Sequence, residues 1–132
     1  MNPKAFLAVV GTVYYQPVNG QPSGVPRNFQ IPIYTDQDPL IRRVPIGQEW
    51  QPLDKGWLSE VGFVEVFNEA GVGLAVHPSE EAKQNLSNQI VEVGGIVVRP
   101  GCAARFEPVD FASLKIRCRN GTVVCAVSLW PK

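Results

Sequence analysis

The sequence predicts an all-β protein: an antiparallel β-sandwich or jelly roll of about seven or eight short strands with one short helix and a Pro/Gly-rich N-terminal loop or arm. Three observations lead there. Short runs rich in β-branched and aromatic residues recur between Gly, Pro and Asn clusters. Twelve Gly and twelve Pro in 132 residues exceed the roughly 12% that average usage supplies, as a chain of many turns requires. Asn120-Gly121 separates two strand-like runs, 114–118 and 122–129. It is the strongest short-range hairpin signal, because a type I′ turn needs positive φ at both central positions.

Taken in order, residues 5–15 form the first strand. The opening run Ala5-Phe6-Leu7-Ala8-Val9-Val10 is too short for a signal peptide core. No window approaches the ~18 apolar residues of a membrane span. Residues 16–28 hold Pro17, Pro22 and Pro26 and lack periodicity, so they read as an extended arm or loop. Residues 29–34 alternate, but Pro32 cannot donate to a ladder, which makes this an edge strand. A short extended piece follows at 42–47. Trp50 and Trp57 then flank Pro52-Leu53-Asp54-Lys55-Gly56.

Residues 61–67 are the clearest central strand. Asn68-Glu69-Ala70-Gly71 is expected to turn it into 72–76 as a second hairpin. Around Ser79-Glu80-Glu81 one or two helical turns are expected. Ser79 is the N-cap, and two glutamates lie where the helix dipole favours negative charge. Strands at 90–93 and 96–99 are separated by Gly94-Gly95.

The length implies one domain, 1–132, with roughly 68% of its unfolded surface buried, enough for a core without staples. Twelve basic and twelve acidic residues cancel. A neutral chain has no global field for nucleic acid or an anionic membrane, and low net charge favours self-association. With Asn120-Gly121 as a hairpin turn, Cys118 faces Val123 and Ile116 faces Cys125. The two cysteines are then diagonal neighbours about 7–8 Å apart at Cα, beyond the usual disulfide range. Free, half-buried thiols of a reducing compartment are expected. The same threading points Leu114, Ile116 and Cys118 inward, with Val123, Cys125, Val127 and Leu129. Lys115, Arg117 and Arg119 lie on the opposite face.

That basic stripe is the sharpest charge feature. It is either a solvated outer face that deters strand pairing or a grip on an acidic protein surface. Other constellations carry less. His77, the single histidine, has no cysteine pair to complete a zinc site and no nucleophile to serve. Asp36-Gln37-Asp38 lacks the glycine and closing glutamate of a calcium loop. Asp54, Glu60 and Glu65 would need to converge to act as a glycosidase pair. Trp50, Trp57 and Trp130 either pack the core and interfaces or line a sugar platform. No cofactor, metal site or enzymatic activity is expected.

The C-terminal block resembles a known family. Val91-Glu92-Val93-Gly94-Gly95, Arg99-Pro100-Gly101, Arg105-Phe106-Glu107-Pro108, Leu114-Lys115-Ile116-Arg117 and Asn120-Gly121-Thr122-Val123-Val124 resemble small β-sandwich proteins of tailed bacteriophages. The run from Val64 to Gly71 looks like the same scheme's central hairpin. The nearest likeness is to capsid decoration (cement) proteins, with tail and fibre modules as relatives. The likeness covers roughly residues 57–131 and consists of strand and turn grammar.

The resemblance implies a virion protein that is made in the host cytoplasm and binds the outside of an assembled shell. It implies the major capsid protein as partner, self-association, often as a trimer, and bridging of neighbouring capsomers. Candidate contact residues are Lys115, Arg117 and Arg119, the arm prolines Pro17, Pro22 and Pro26, and Trp50 and Trp57. Pairing of 5–15 or 29–34 with a partner strand would add main-chain hydrogen bonds. The alternative is a carbohydrate- or receptor-binding module of a phage tail or fibre.

Overall fold

The computed structural model describes residues 2–15, 18–21, 23–26, 28–72 and 79–132. The fold is mostly β, with one α-helix and several antiparallel sheets. The strands are β1 (Ala5–Val9), β2 (Thr12–Tyr15), β3 (Ser23–Pro26), β4 (Phe29–Ile33), β5 (Leu40–Ile46), β6 (Gln51–Pro52), β7 (Val61–Asn68), β8 (Val91–Val93), β9 (Ile96–Val98), β10 (Ala103–Phe106), β11 (Lys115–Cys118) and β12 (Val123–Pro131). The helix α1 spans Glu80–Asn88, and a single 3₁₀ turn covers Phe111–Ser113. The chain forms two compact units, the first ending at Asp36 and the second spanning Gln37–Pro131.

The first unit is a two-stranded ribbon. β1 pairs with β4 from Ala5↔Ile33 to Val9↔Phe29, and β2 pairs with β3 from Thr12↔Pro26 to Tyr15↔Ser23. Both ladders keep one register. Between them the Gly11 N–H donates to Asn28 Oδ1 at 3.3 Å. The single strand expected over 5–15 is therefore two strands, broken at Val10-Gly11. Part of the expected arm, Ser23–Pro26, is strand. Pro32 pairs only along β1, as a residue without an N–H demands.

The second unit contains two four-stranded sheets. One has the order β10-β7-β12-β5 and the other β6-β11-β8-β9, all neighbours antiparallel. Inward residues of both join one buried cluster. It includes Val64, Val66, Val127 and Leu129 from the first sheet and Val91, Val93, Ile116 and Cys118 from the second. Each such side chain contributes roughly 1.5–3 kcal/mol when fully buried.

One expected hairpin does not form. β11 is flanked by β6 and β8, and β12 by β7 and β5. Neither has an edge left for the other, so Asn120-Gly121 is a corner between sheets. Gly121 has φ +69°, but no described non-glycine residue has positive φ, so Asn120 does not build a type I′ turn. The two-residue turn with both φ positive is Gly94-Gly95 (φ +54° and +80°), joining β8 to β9 at Val93↔Ile96. Likewise β7 is occupied on both sides, by β10 and β12. The turn after Asn68 closes with Val72 N–H on Glu69 O at 3.1 Å; the rest of the hairpin expected over 72–76 lies outside the described residues. Residues 73–78, with His77, lie outside the described residues.

Other expectations hold. Leu114, Ile116, Cys118, Val123, Cys125, Val127 and Leu129 are buried, whereas Lys115 and Arg119 are exposed and Arg117 is half-buried. Ser79 caps α1, its Oγ accepting from the Ala82 N–H at 3.2 Å. The helix runs further than expected, and Leu86 packs against the core. Gly71 makes room for it: at φ +79°, a Cβ there would lie 2.6 Å from Leu86 Cδ2.

Asn68, at the end of β7, is fully buried and fully paired. Its Nδ2 donates to Gln89 O (2.9 Å) and Val98 O (3.0 Å), and its Oδ1 accepts from Ala70 N (3.0 Å). Its backbone N–H donates to Cys102 O and its carbonyl accepts from Gly101 N, both at 2.9 Å. Orphaning buried polar groups costs about 1–3 kcal/mol each. Asn68→Ala should therefore lose about 3 kcal/mol in urea denaturation; a loss below about 1 kcal/mol would show that the network carries little.

All three cysteines are free, Cys102 exposed and Cys118 and Cys125 buried. Burial, then the neighbouring Cys118 and Glu69, pushes the Cys125 thiol up to about 12. The folded protein keeps this proton while an unfolded chain releases it above roughly pH 8.5. Stability therefore falls as pH rises past that point. A thiol reagent at about pH 8 should titrate one cysteine in the native protein and all three after denaturation.

Candidate functional site

The outer face of the β6-β11-β8-β9 sheet gathers most of the charged and aromatic residues singled out in the sequence. Period-two alternation sends Ile116 into the core and Arg117 outward. Arg117 lies opposite Glu92, and Glu92 opposite Val97. On the other side Gln51 faces Ile116, which brings the preceding residue, Trp50, alongside Arg117. The Arg117 guanidinium carbon lies 4.8 Å from the Trp50 ring centroid, a cation–π contact.

Glu92 holds the face together. Its Oε2 is 3.4 Å from Arg117 Nε, and its Oε1 accepts from Arg119 Nε. One carboxylate thus orients two guanidinium groups. Gln48 Nε2 adds a 3.4 Å bond to the Arg119 carbonyl. Lys115 is exposed and makes no ion pair among the described residues. Three cations against one carboxylate leave this set positive. Trp50 is 47% exposed, so the row presents an indole, two guanidinium groups and the Val97 side chain to solvent.

Trp57 stands elsewhere, in a turn where Leu58 N–H bonds Lys55 O at 3.0 Å. Its Nε1 donates to Asp38 O (2.9 Å), and its carbonyl accepts from Gln37 Nε2 (3.0 Å). It is 59% exposed, and no ring contact joins it to Trp50 among the described residues. Gln37 also accepts from Ser59 N and Oγ; Gln37 and Asp38 brace this loop. Pro26 ends β3 opposite Thr12, whereas Pro17 and Pro22 lie outside the described residues.

The acidic candidates are dispersed. Glu65 pairs with Arg105 at 2.6 Å, and Asp54 lies 3.9 Å from Arg42. No group of three metal-ligating side chains converges among the described residues. Two shallow clefts are lined by described residues. One of about 330 Å³ lies between β5 and the 51–54 segment and includes Arg42 and Leu53. The other, about 410 Å³, is bordered by Ile96, Phe106 and Val109.

The sequence could not single out Glu92 as the hub of the face. Its outward position between two valines was legible, but the strand of Arg117 and Arg119 was threaded against residues 122–129 and not against Glu92. The chain matches no protein-family model, no curated protein and no solved structure.

The hydrogen bond from Arg119 holds the Glu92 carboxyl below the usual carboxylate range; partial desolvation opposes this, and the charges of Arg119 and Arg117 add to it. Its stabilising contribution is complete above the ordinary carboxylate value and fades as pH falls through the lowered one. Carboxyl NMR should show Glu92 titrating low, and Arg119→Gln should raise its titration midpoint. An unchanged midpoint in that variant would remove Arg119 as the cause.

Proposed function

We propose that the chain is a non-enzymatic structural protein of a phage virion, the role its sequence resemblance implies, and that it binds the outer surface of the capsid shell. We further infer that the two four-stranded sheets of the second unit lie face to face as a sandwich, since their inward residues share one cluster. The observation that carries the binding reading is the Trp50–Arg117–Glu92–Arg119 row. Trp and Arg are the residue types that dominate interface energetics. Here they are ordered in advance by Glu92, which lowers the entropy lost on docking. The positive excess suits an acidic partner surface and speeds encounter with it.

A protein that binds only the assembled shell stabilises it by mass action. Bridging neighbouring capsomers needs self-association or a second contact on each copy.

Co-sedimentation with shells assembled from a tailed-phage major capsid protein tests this reading. Saturable binding and a raised shell melting temperature are expected. Trp50→Ala and Arg117→Ala should each weaken binding about tenfold to a hundredfold, equivalent to roughly 1.4–2.8 kcal/mol. Absence of binding to matching shells would overturn the proposal. The carbohydrate-binding alternative draws on Trp57, exposed and fixed by two hydrogen bonds. Saturable quenching of tryptophan fluorescence by a glycan, lost in Trp57→Ala, would replace the capsid reading with it.

A further inference from the structure

We propose that β1 is a self-pairing strand: two copies of this chain join antiparallel, edge to edge, about a two-fold axis at Leu7. This inference does not rest on the Trp50–Arg117 face or on the capsid reading. It rests on which sheet edges the fold leaves open and how each is defended.

Among the described residues β1 pairs only with β4, and β4 only with β1. An open edge invites another strand, and native proteins deter this with charges, prolines, bulges or very short strands. Most other open edges show these devices; β2, Thr12–Tyr15, is shorter than β1 by one residue and likewise lacks charge and proline. β5 carries Arg42, Arg43 and Pro45, and β10 carries Arg105. β6 is two residues long and β9 three. β4 carries Pro32. β1, Ala5-Phe6-Leu7-Ala8-Val9, has no charge, no proline and an unbroken register.

Proline also reveals which backbone groups are free. Phe6 lies opposite Pro32. Opposed residues of an antiparallel ladder either exchange both bonds or turn both away. Proline cannot exchange, so Phe6 and Pro32 turn away, and Ala5, Leu7 and Val9 bond to β4. The N–H and C=O of Phe6 and Ala8 therefore face the open edge.

A two-fold axis at Leu7 sets Phe6 opposite Ala8 of the second copy and Ala8 opposite its Phe6, each pair exchanging hydrogen bonds. Leu7 meets its own symmetry mate, and Ala5 meets Val9. Lys4 falls opposite Val10 and not another lysine, so no like charges meet. Ala5, Leu7 and Val9 share a face with Phe29, Ile31 and Ile33, and this register continues that apolar face into the second copy. A two-stranded ribbon is marginally stable alone; pairing makes it four strands wide. The interface is isologous, so it closes at two copies along this edge. A strand edge is small beside standard interfaces, so association in the micromolar range is expected.

Sedimentation of the full chain from about 1 to 300 μM tests the proposal. A monomer–dimer equilibrium is expected. Ala8→Pro removes an edge donor and no β4 bond, so it should weaken dimerisation at least about tenfold with the circular dichroism spectrum unchanged. A second measurement does not depend on proline. In a Cys102→Ser background, Leu7→Cys should cross-link to its mate on mild oxidation, because paired non-hydrogen-bonded Cα atoms lie about 4.5 Å apart. Phe6→Cys should not, since its mate is displaced beyond disulfide range. A chain that stays monomeric, an assembly unaffected by Ala8→Pro, or an oligomer in which Leu7→Cys fails to cross-link would each overturn the proposal.

Discussion

The second unit depends on one buried amide. Asn68 ties the end of α1, the β9 strand, the turn after β7 and the Gly101-Cys102 turn to a single point. A side chain in that place must supply two donors and one acceptor within a short reach. Aspartate has no donors, and a hydrocarbon leaves three main-chain groups unpaired. In a low-dielectric interior such a network strengthens every member, and a partly satisfied one is worse than none. The residue thus sets where β7 stops and where the chain crosses to the neighbouring sheet.

The Trp50–Arg117–Glu92–Arg119 row repeats that logic at the surface with charge in place of an amide. Glu92 is anchored by its strand between two fully buried valines. Its carboxylate holds Arg117 and Arg119, and Arg117 in turn lies over Trp50. Exposed ion pairs add little to stability. What this arrangement offers is order: long side chains that would otherwise sample many rotamers are held in one geometry. The open edge of β1 is the opposite kind of surface. It is uncharged, and what it presents is backbone donors and acceptors in strand geometry.

Much of the strand content was legible because burial alternates with period two whatever a strand's neighbour. Leu114, Ile116 and Cys118 had to point inward whether β11 lay beside β12 or beside β8. The partner itself was not legible. Asn120-Gly121 carries a strong local preference for a hairpin, and the demand of β12 for two long neighbours overrode it. Gly94-Gly95 satisfies the same turn chemistry less conspicuously. The cap of α1 was readable at Ser79, but its end was not, since Leu86 is its main apolar contact. Trp50 and Arg117 are distant in sequence, and no local pattern announces that they touch. The arm residues 16–28 lack apolar periodicity, yet Ser23–Pro26 is held as strand by the register of the ribbon.

The placement of β12 has a consequence for how the chain reaches this state. It lies at the centre of its sheet, bonded to β7 and β5, yet it follows both partners in the chain. Its partners in β5 are roughly 77 to 89 positions earlier in the register. Loop closure over such spans must come before any reward from pairing, which makes folding slow. On a ribosome, β5 and β7 would emerge and wait, their inner edges bare, until β12 cleared the exit tunnel. The long nascent interval favours chaperone capture, and synonymous codon changes upstream of β12 would be felt in the yield of folded protein.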